Sequence, residues 1–120
     1  MGNCIITKSS KSQIDLLWTN PSPTSNFSEQ DIILGDITKY NFIYIFVRAV
    51  ISNDSYLNFF LKNEVDKVQI ALGFNISEKA LRVRTFTPLS NGVRVGKGYS
   101  STAESSGSTV PYQIYGVRIV

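Results

Sequence analysis

Phe42-Ile43-Tyr44-Ile45-Phe46-Val47 restricts the fold more than any other segment. Three aromatic and three β-branched residues alternate, which suits a strand and leaves neither of its faces polar. Such a strand, extended here over residues 42–51, belongs in the middle of a sheet. A second layer covers one side, and the other lies under a neighbouring subunit or under the chain's own long loops. The run is too short to cross a membrane as a helix and carries Arg48.

The rest of the chain has the punctuation of an all-β domain. Candidate strands cover 13–18, 31–34, 42–51, 56–62, 65–72, 81–87, 93–99 and 110–119, separated by Gly-, Asn-, Asp-, Ser- and Pro-rich turns. Residues 65–72 are ambiguous: Val65, Val68 and Leu72 fit a helical stripe, whereas Val68, Ile70 and Leu72 alternate as a strand, and their short length favours the strand. About eight short strands predict an antiparallel two-sheet sandwich, jelly-roll-like in form. Residues 1–12 form an N-terminal arm for docking and 13–120 a single sandwich domain. The Ser-rich run 100–109 reads as a mobile loop between the last two strands.

With 120 residues, 42% of them hydrophobic, the chain can bury one core without disulfide or metal. Cys4 is the sole cysteine, and Met1-Gly2-Asn3-Cys4 lacks the Ser or Thr that myristoylation requires, since Ile6 stands there. Histidine is absent, which removes the commonest general base and metal ligand. The acid pairs Asp31 with Asp36 and Glu64 with Asp66 sit at turns that face water, so no catalytic residues, metal or cofactor are assigned. Asn26, Asn53 and Asn75 match the glycosylation sequon at a frequency that chance explains. Net charge is +3 with the cations scattered. The nearest approach to a nucleic-acid surface is one strand face bearing Arg82, Arg84 and Phe86, read as ordinary solvated surface; nucleic acid and membrane are not expected partners.

Residues 17–30 read Leu-Trp-Thr-Asn-Pro-Ser-Pro-Thr-Ser-Asn-Phe-Ser-Glu-Gln. Pro21 and Pro23, preceded by Asn20, exclude helix and central strand and make a fixed loop. Leu16 and Trp18 alternate with Leu17 on the strand before it. Trp18 and Phe27 are read as mostly buried anchors that pin the loop to the core rather than as a ligand platform. Near the other end stands Val110-Pro111-Tyr112-Gln113-Ile114-Tyr115-Gly116-Val117. The pair of motifs, carried by Trp18, Asn20, Pro21, Pro23, Phe27, Gln30, Pro111, Tyr112, Tyr115 and Gly116, resembles a family of small β-sandwich domains. These come from phages and prophages of Gram-positive bacteria, where they close minor structural, tail-fibre or head-fibre proteins. The resemblance spans residues 14–119, with its specific residues at the two ends.

That resemblance implies a non-enzymatic virion protein, made in the bacterial cytoplasm and carried on the particle surface. Other virion proteins are its implied partners, and a homotrimer its implied assembly. As a fibre or baseplate module it would contribute to host attachment by holding a cell-surface saccharide; the alternatives are a capsid-decorating or head-fibre subunit without a ligand, and a glycan hydrolase. With about twelve residues ahead of the sandwich, each spanning roughly 3.5 Å, the arm is too short for a long shaft if Met1 is the native start. The residues for a saccharide are Arg94, Lys97 and Tyr99, a hairpin uniting two cations, an aromatic and the Ser-rich loop. Tyr99 alternatively ends its strand as a core residue.

Overall fold

The run at 42–47 lies in β3 (Phe42–Val50), between β9 (Ser108–Ile119) and β4 (Tyr56–Lys62), in a sheet completed by β1 (Ser12–Thr19) in the order β1-β9-β3-β4. The computed structural model describes residues 12–52, 54–76 and 78–119. A second sheet, in the order β2-β7-β6-β5, contains β2 (Gln30–Ile33), β5 (Gln69–Asn75), β6 (Ala80–Leu89) and β7 (Gly92–Ser100). The two-residue β8 (Ala103–Glu104) is added to β7. Every pairing is antiparallel. The chain is thus an all-β two-sheet sandwich. Its nested pairs β1·β9 and β2·β7 are jelly-roll-like, while β3–β4 and β5–β6–β7 are local hairpins.

The inner side of β3, Ile43, Ile45 and Val47, is fully buried against Phe86, Val93, Val95, Val110 and Ile114. On its outer side Phe42, Tyr44 and Phe46 are half-buried. Their cover is a layer of rings from adjacent strands rather than long loops. Tyr44 stacks on Phe60 at 4.7 Å and tilts against Tyr115 at 5.7 Å, and Phe46 contacts Tyr56 and Tyr112 at 5.7 and 6.1 Å. Cross-strand ring pairs of this kind shield one another and add directly to sheet stability.

Four expectations are corrected. The strict alternation of Leu16, Leu17 and Trp18 fails because β1 has a bulge between Leu16 and Trp18. The extra residue turns both Leu17 and Trp18 toward the core and leaves Leu16 exposed. Trp18 packs against the core as expected, edge-on to the buried Phe27 with ring centroids 6.1 Å apart. The fifth strand begins at Gln69 and runs through Gly73-Phe74-Asn75, because residues 63–68 are consumed by a turn in which Asp66 takes φ 65° and donates its N–H to the Pro88 carbonyl. The Ser-rich run is folded: it contains β8, and Gly107, Ser108 and Thr109 are buried. Small side chains let that backbone pack closely, so its polarity signals proximity instead of mobility. Last, Arg82, Arg84 and Phe86 do share a face, but it is the inner one, and all three are buried. The reading of residues 1–11, with Cys4 and the lipidation signal, lies outside the described residues, as do Asn53 and Ser77 of two sequons.

Tyr40 ties the motif at the end of the chain to the first strand. Its ring lies over Gly116, where an added Cβ would come within 2.5 Å of a ring carbon. Its hydroxyl donates to the Asp15 carboxylate at 2.6 Å. That bond, with burial adding to it, pushes the phenol up to about 12. The folded state therefore holds this proton more tightly than the unfolded chain, whose phenol titrates near 10, so the stabilisation is complete below about pH 10 and is lost as pH rises toward 12. Tyr40→Phe should cost about 2 kcal/mol at pH 8, the usual scale of a hydrogen bond to a charged group. The gap between the two proteins in urea denaturation should close between pH 10 and 12. A gap unchanged at pH 11.5 would contradict the assignment.

Candidate functional site

The site is organised from below by Arg84, whose residue exposure is 0%. Among the described residues no carboxylate pairs with it; five hydrogen bonds to main-chain carbonyls occupy its five N–H groups. Nε and one Nη reach Ser108 O at 3.1 and 2.9 Å, the same Nη reaches Ser106 O at 3.0 Å, and the other Nη reaches Phe27 O and Gly96 O at 3.0 and 2.8 Å. The planar guanidinium fork suits this task, since it presents all its donors in fixed directions. The cation also stands 5.9 Å from the Phe27 ring centroid. Burial lowers its pKa to about 10, which leaves it charged at neutral pH.

Two glycines make room for the cage. A Cβ on Gly96 would meet Thr85 Oγ1 at 2.0 Å, and one on Gly98 would sit 2.5 Å from both an Arg84 nitrogen and Ser105 O. Phe27 donates its N–H to Ser106 O at 2.9 Å, and Ser105 donates to Gly98 O at 2.7 Å. Arg84 thus locks together the end of the proline loop, the irregular part of β7 and the Ser-rich segment.

Above this cage is a cleft of about 280 Å³, lined by Phe27, Ser28, Glu29, Lys97, Glu104 and Ser106. Lys97 Nζ lies 3.3 Å from Glu104 Oε1. The hydrogen bond to Glu104, its charge and that of Glu29 raise the Lys97 pKa, so the ammonium is fully charged at neutral pH. One cation, two carboxylates and two serines around a partly apolar floor offer donors and acceptors suited to a polyhydroxyl ligand.

The three residues expected to form a saccharide site all lie on β7, but only Lys97 lines the cleft. Arg94 is held by Asp31 through two bonds of 2.9 and 3.3 Å. Tyr99, 37% exposed, stands opposite Glu104 in the β7–β8 pairing and flanks the cleft as a surface residue. Glu29, Glu104 and Ser106 were missed because their neighbours in sequence are polar loop residues; the pairing of β2 with β7 brings Glu29 toward Lys97, and that of β8 with β7 brings Glu104. Arg84 was missed because a charged residue alternating with Leu81 and Val83 reads as solvent-facing. The one sequence signal for it is the pair Gly96 and Gly98.

Three of the four acids named from the sequence have other partners. Asp31 binds Arg94, Asp36 accepts from Thr38 in its own turn, which keeps its pKa low, and Glu64 pairs with Lys62 at 3.3 Å. Among the described residues no group of three or more acids, His or Cys is placed to hold a metal, and no helix is long and apolar enough to cross a membrane.

The two end motifs meet through Asn20, which is buried. Its Nδ2 donates to Pro111 O at 2.9 Å, its Oδ1 accepts from Ser22 N–H at 2.8 Å, and its own N–H donates to Tyr112 O at 2.8 Å. Gln30 is exposed and its side-chain amide donates to Ser28, and Tyr115 donates to Gln113. Pro21 is exposed and Pro23 partly buried. Through its bonds Asn20 closes the proline loop onto β9. No family model, curated protein or solved structure matches the chain.

Proposed function

We propose that this protein is a structural module of a phage virion, displayed on the particle surface as part of a fibre or baseplate, where it contributes to host attachment by holding a cell-surface saccharide. The observation that carries the ligand part is the cleft in which Lys97 meets Glu104, Glu29 and Ser106 over the Arg84 cage. Its volume, at the small end of ligand clefts, suits a single sugar ring. The cleft is rigid for a loop-built site, because its main chain is fixed by a buried cation, and preorganisation lowers the entropic cost of binding. The virion part rests on the resemblance of the two end motifs. A ligand-free decorating subunit is the second reading, favoured by the large apolar side chains exposed on β1 and β5.

The test is calorimetric titration of the protein with cell-wall polysaccharide from Gram-positive bacteria and with a panel of its constituent sugars. Binding should weaken at least tenfold in Lys97→Ala combined with Glu104→Ala. Both side chains are more than half exposed, so the circular-dichroism spectrum should not change. Unaltered binding by the double variant would remove the cleft from consideration. Absence of binding by the unsubstituted protein would leave the decorating role.

A further inference from the structure

β5 is the last strand of its sheet, so one side of its backbone has no neighbouring strand. Edge strands are ordinarily protected by charge, proline, brevity or a bulge. β2, at the opposite edge, has four residues, and at the edge of the other sheet the main chain of Lys62 on β4 is capped by the Gln69 side chain, at 3.0 and 2.8 Å. β5 has seven residues in unbroken register with β6 and no charge or proline from Val68 to Ile76. Its outward residues Ile70, Leu72 and Phe74, continued by Val68 and Ile76 at either end, are 52–80% exposed.

The order of residues says what fits there. Val68-Gln69-Ile70-Ala71-Leu72-Gly73-Phe74-Asn75-Ile76 is a palindrome of residue types about Leu72. Reversed, it sets Val against Ile, Gln against Asn, Ile against Phe and Ala against Gly, with Leu72 facing itself. A two-fold contact demands this property, because residue i must suit residue j and j must suit i. We propose that β5 pairs antiparallel with β5 of a second copy about a two-fold axis at Leu72, joining the two sheets edge to edge. Leu81 on β6, opposite Phe74, extends the exposed apolar surface. The pairing adds main-chain hydrogen bonds along the strand and sets Ile70 against Phe74 and Leu72 against Leu72 as cross-strand apolar pairs. This contact is separate from the β3 face through which a trimer is expected.

Sedimentation velocity of the full chain, at concentrations up to roughly 100 μM, reads the result. The protein should run with an even number of copies, and Leu72→Lys should halve the mass while leaving the circular-dichroism spectrum unchanged, since Leu72 is half exposed in the single chain. In a Cys4→Ser background, Leu72→Cys should form a disulfide dimer under mild oxidation at least tenfold faster than Ile33→Cys. Ile33 is equally exposed on the other edge, whereas opposed residues of an antiparallel pair bring their Cβ atoms within disulfide reach. A mass that Leu72→Lys does not change, whatever that mass is, overturns the proposal, and so do equal crosslinking rates at the two positions.

Discussion

Replacing Arg84 by Leu should lower folding stability by about 4–5 kcal/mol in urea denaturation, a large part of the 5–15 kcal/mol typical of a domain. The physical reason is the acceptors left behind. Three carbonyls, those of Phe27, Gly96 and Ser108, accept from the guanidinium in a buried place, while Ser106 O, at the edge of the cleft, keeps the Phe27 N–H as a second donor. Each buried acceptor without a donor costs about 1–3 kcal/mol, and Leu supplies none. Arg84→Lys should recover little, because an ammonium has three donors on a flexible stem and cannot span these carbonyls in a plane. Any Arg84→Leu protein that remains folded at low temperature should also lose the saccharide affinity proposed above, since the carbonyls of Phe27, Gly96 and Ser106 would no longer be held to one guanidinium beneath the cleft. A loss of stability below about 1 kcal/mol would show that the carbonyl cage is dispensable.

Phe86→Ala is expected to cost about 3–5 kcal/mol, the range for removing a buried ring and leaving a cavity. Phe86 has 0% exposure and stands opposite Val95 on β7 and Gln69 on β5, so collapse of the surroundings is limited. The informative comparison is Phe60→Ala on the outer face of β4. Phe60 is 64% exposed although it contacts both Phe42 and Tyr44, and its loss should cost about 1 kcal/mol. Thermal unfolding of the two variants separates the inter-sheet core from the outer aromatic layer. Equal costs would mean that the outer rings stabilise the sandwich as much as its interior does.

Much of this fold was legible in the chain. The run 42–47 predicted a central strand because an apolar residue at every position leaves no face for water, and β3 has a neighbour on each side. Strand 56–62 matched to the residue, and six others to within two or three, because Gly, Pro and Asn turns end strands by backbone geometry that needs no tertiary partner. The rigid proline loop with Phe27 as its anchor was equally local in origin, since proline sets φ and denies a donor wherever it stands.

The site was hardly legible. Lys97 could be named, but its partners could not: Glu29 comes near it through the pairing of β2 with β7, distant in sequence, and Glu104 through the two-residue β8, too short for a sequence pattern to mark. The largest error, the direction of Arg84, also comes from segments distant in sequence. Alternation along a strand establishes which residues share a face, and Arg82, Arg84 and Phe86 do share one. Which face is buried depends on the energy of the whole: Phe86 and the carbonyls of three other segments favour turning that face inward, and they outweigh the cost of desolvating a cation. Outside residues 65–68 and the Ser-rich run, strand positions are decided within a few residues, and there the sequence by itself determined them. The inward or outward sense of a strand is a difference between two global packings, and only the tertiary structure decided that.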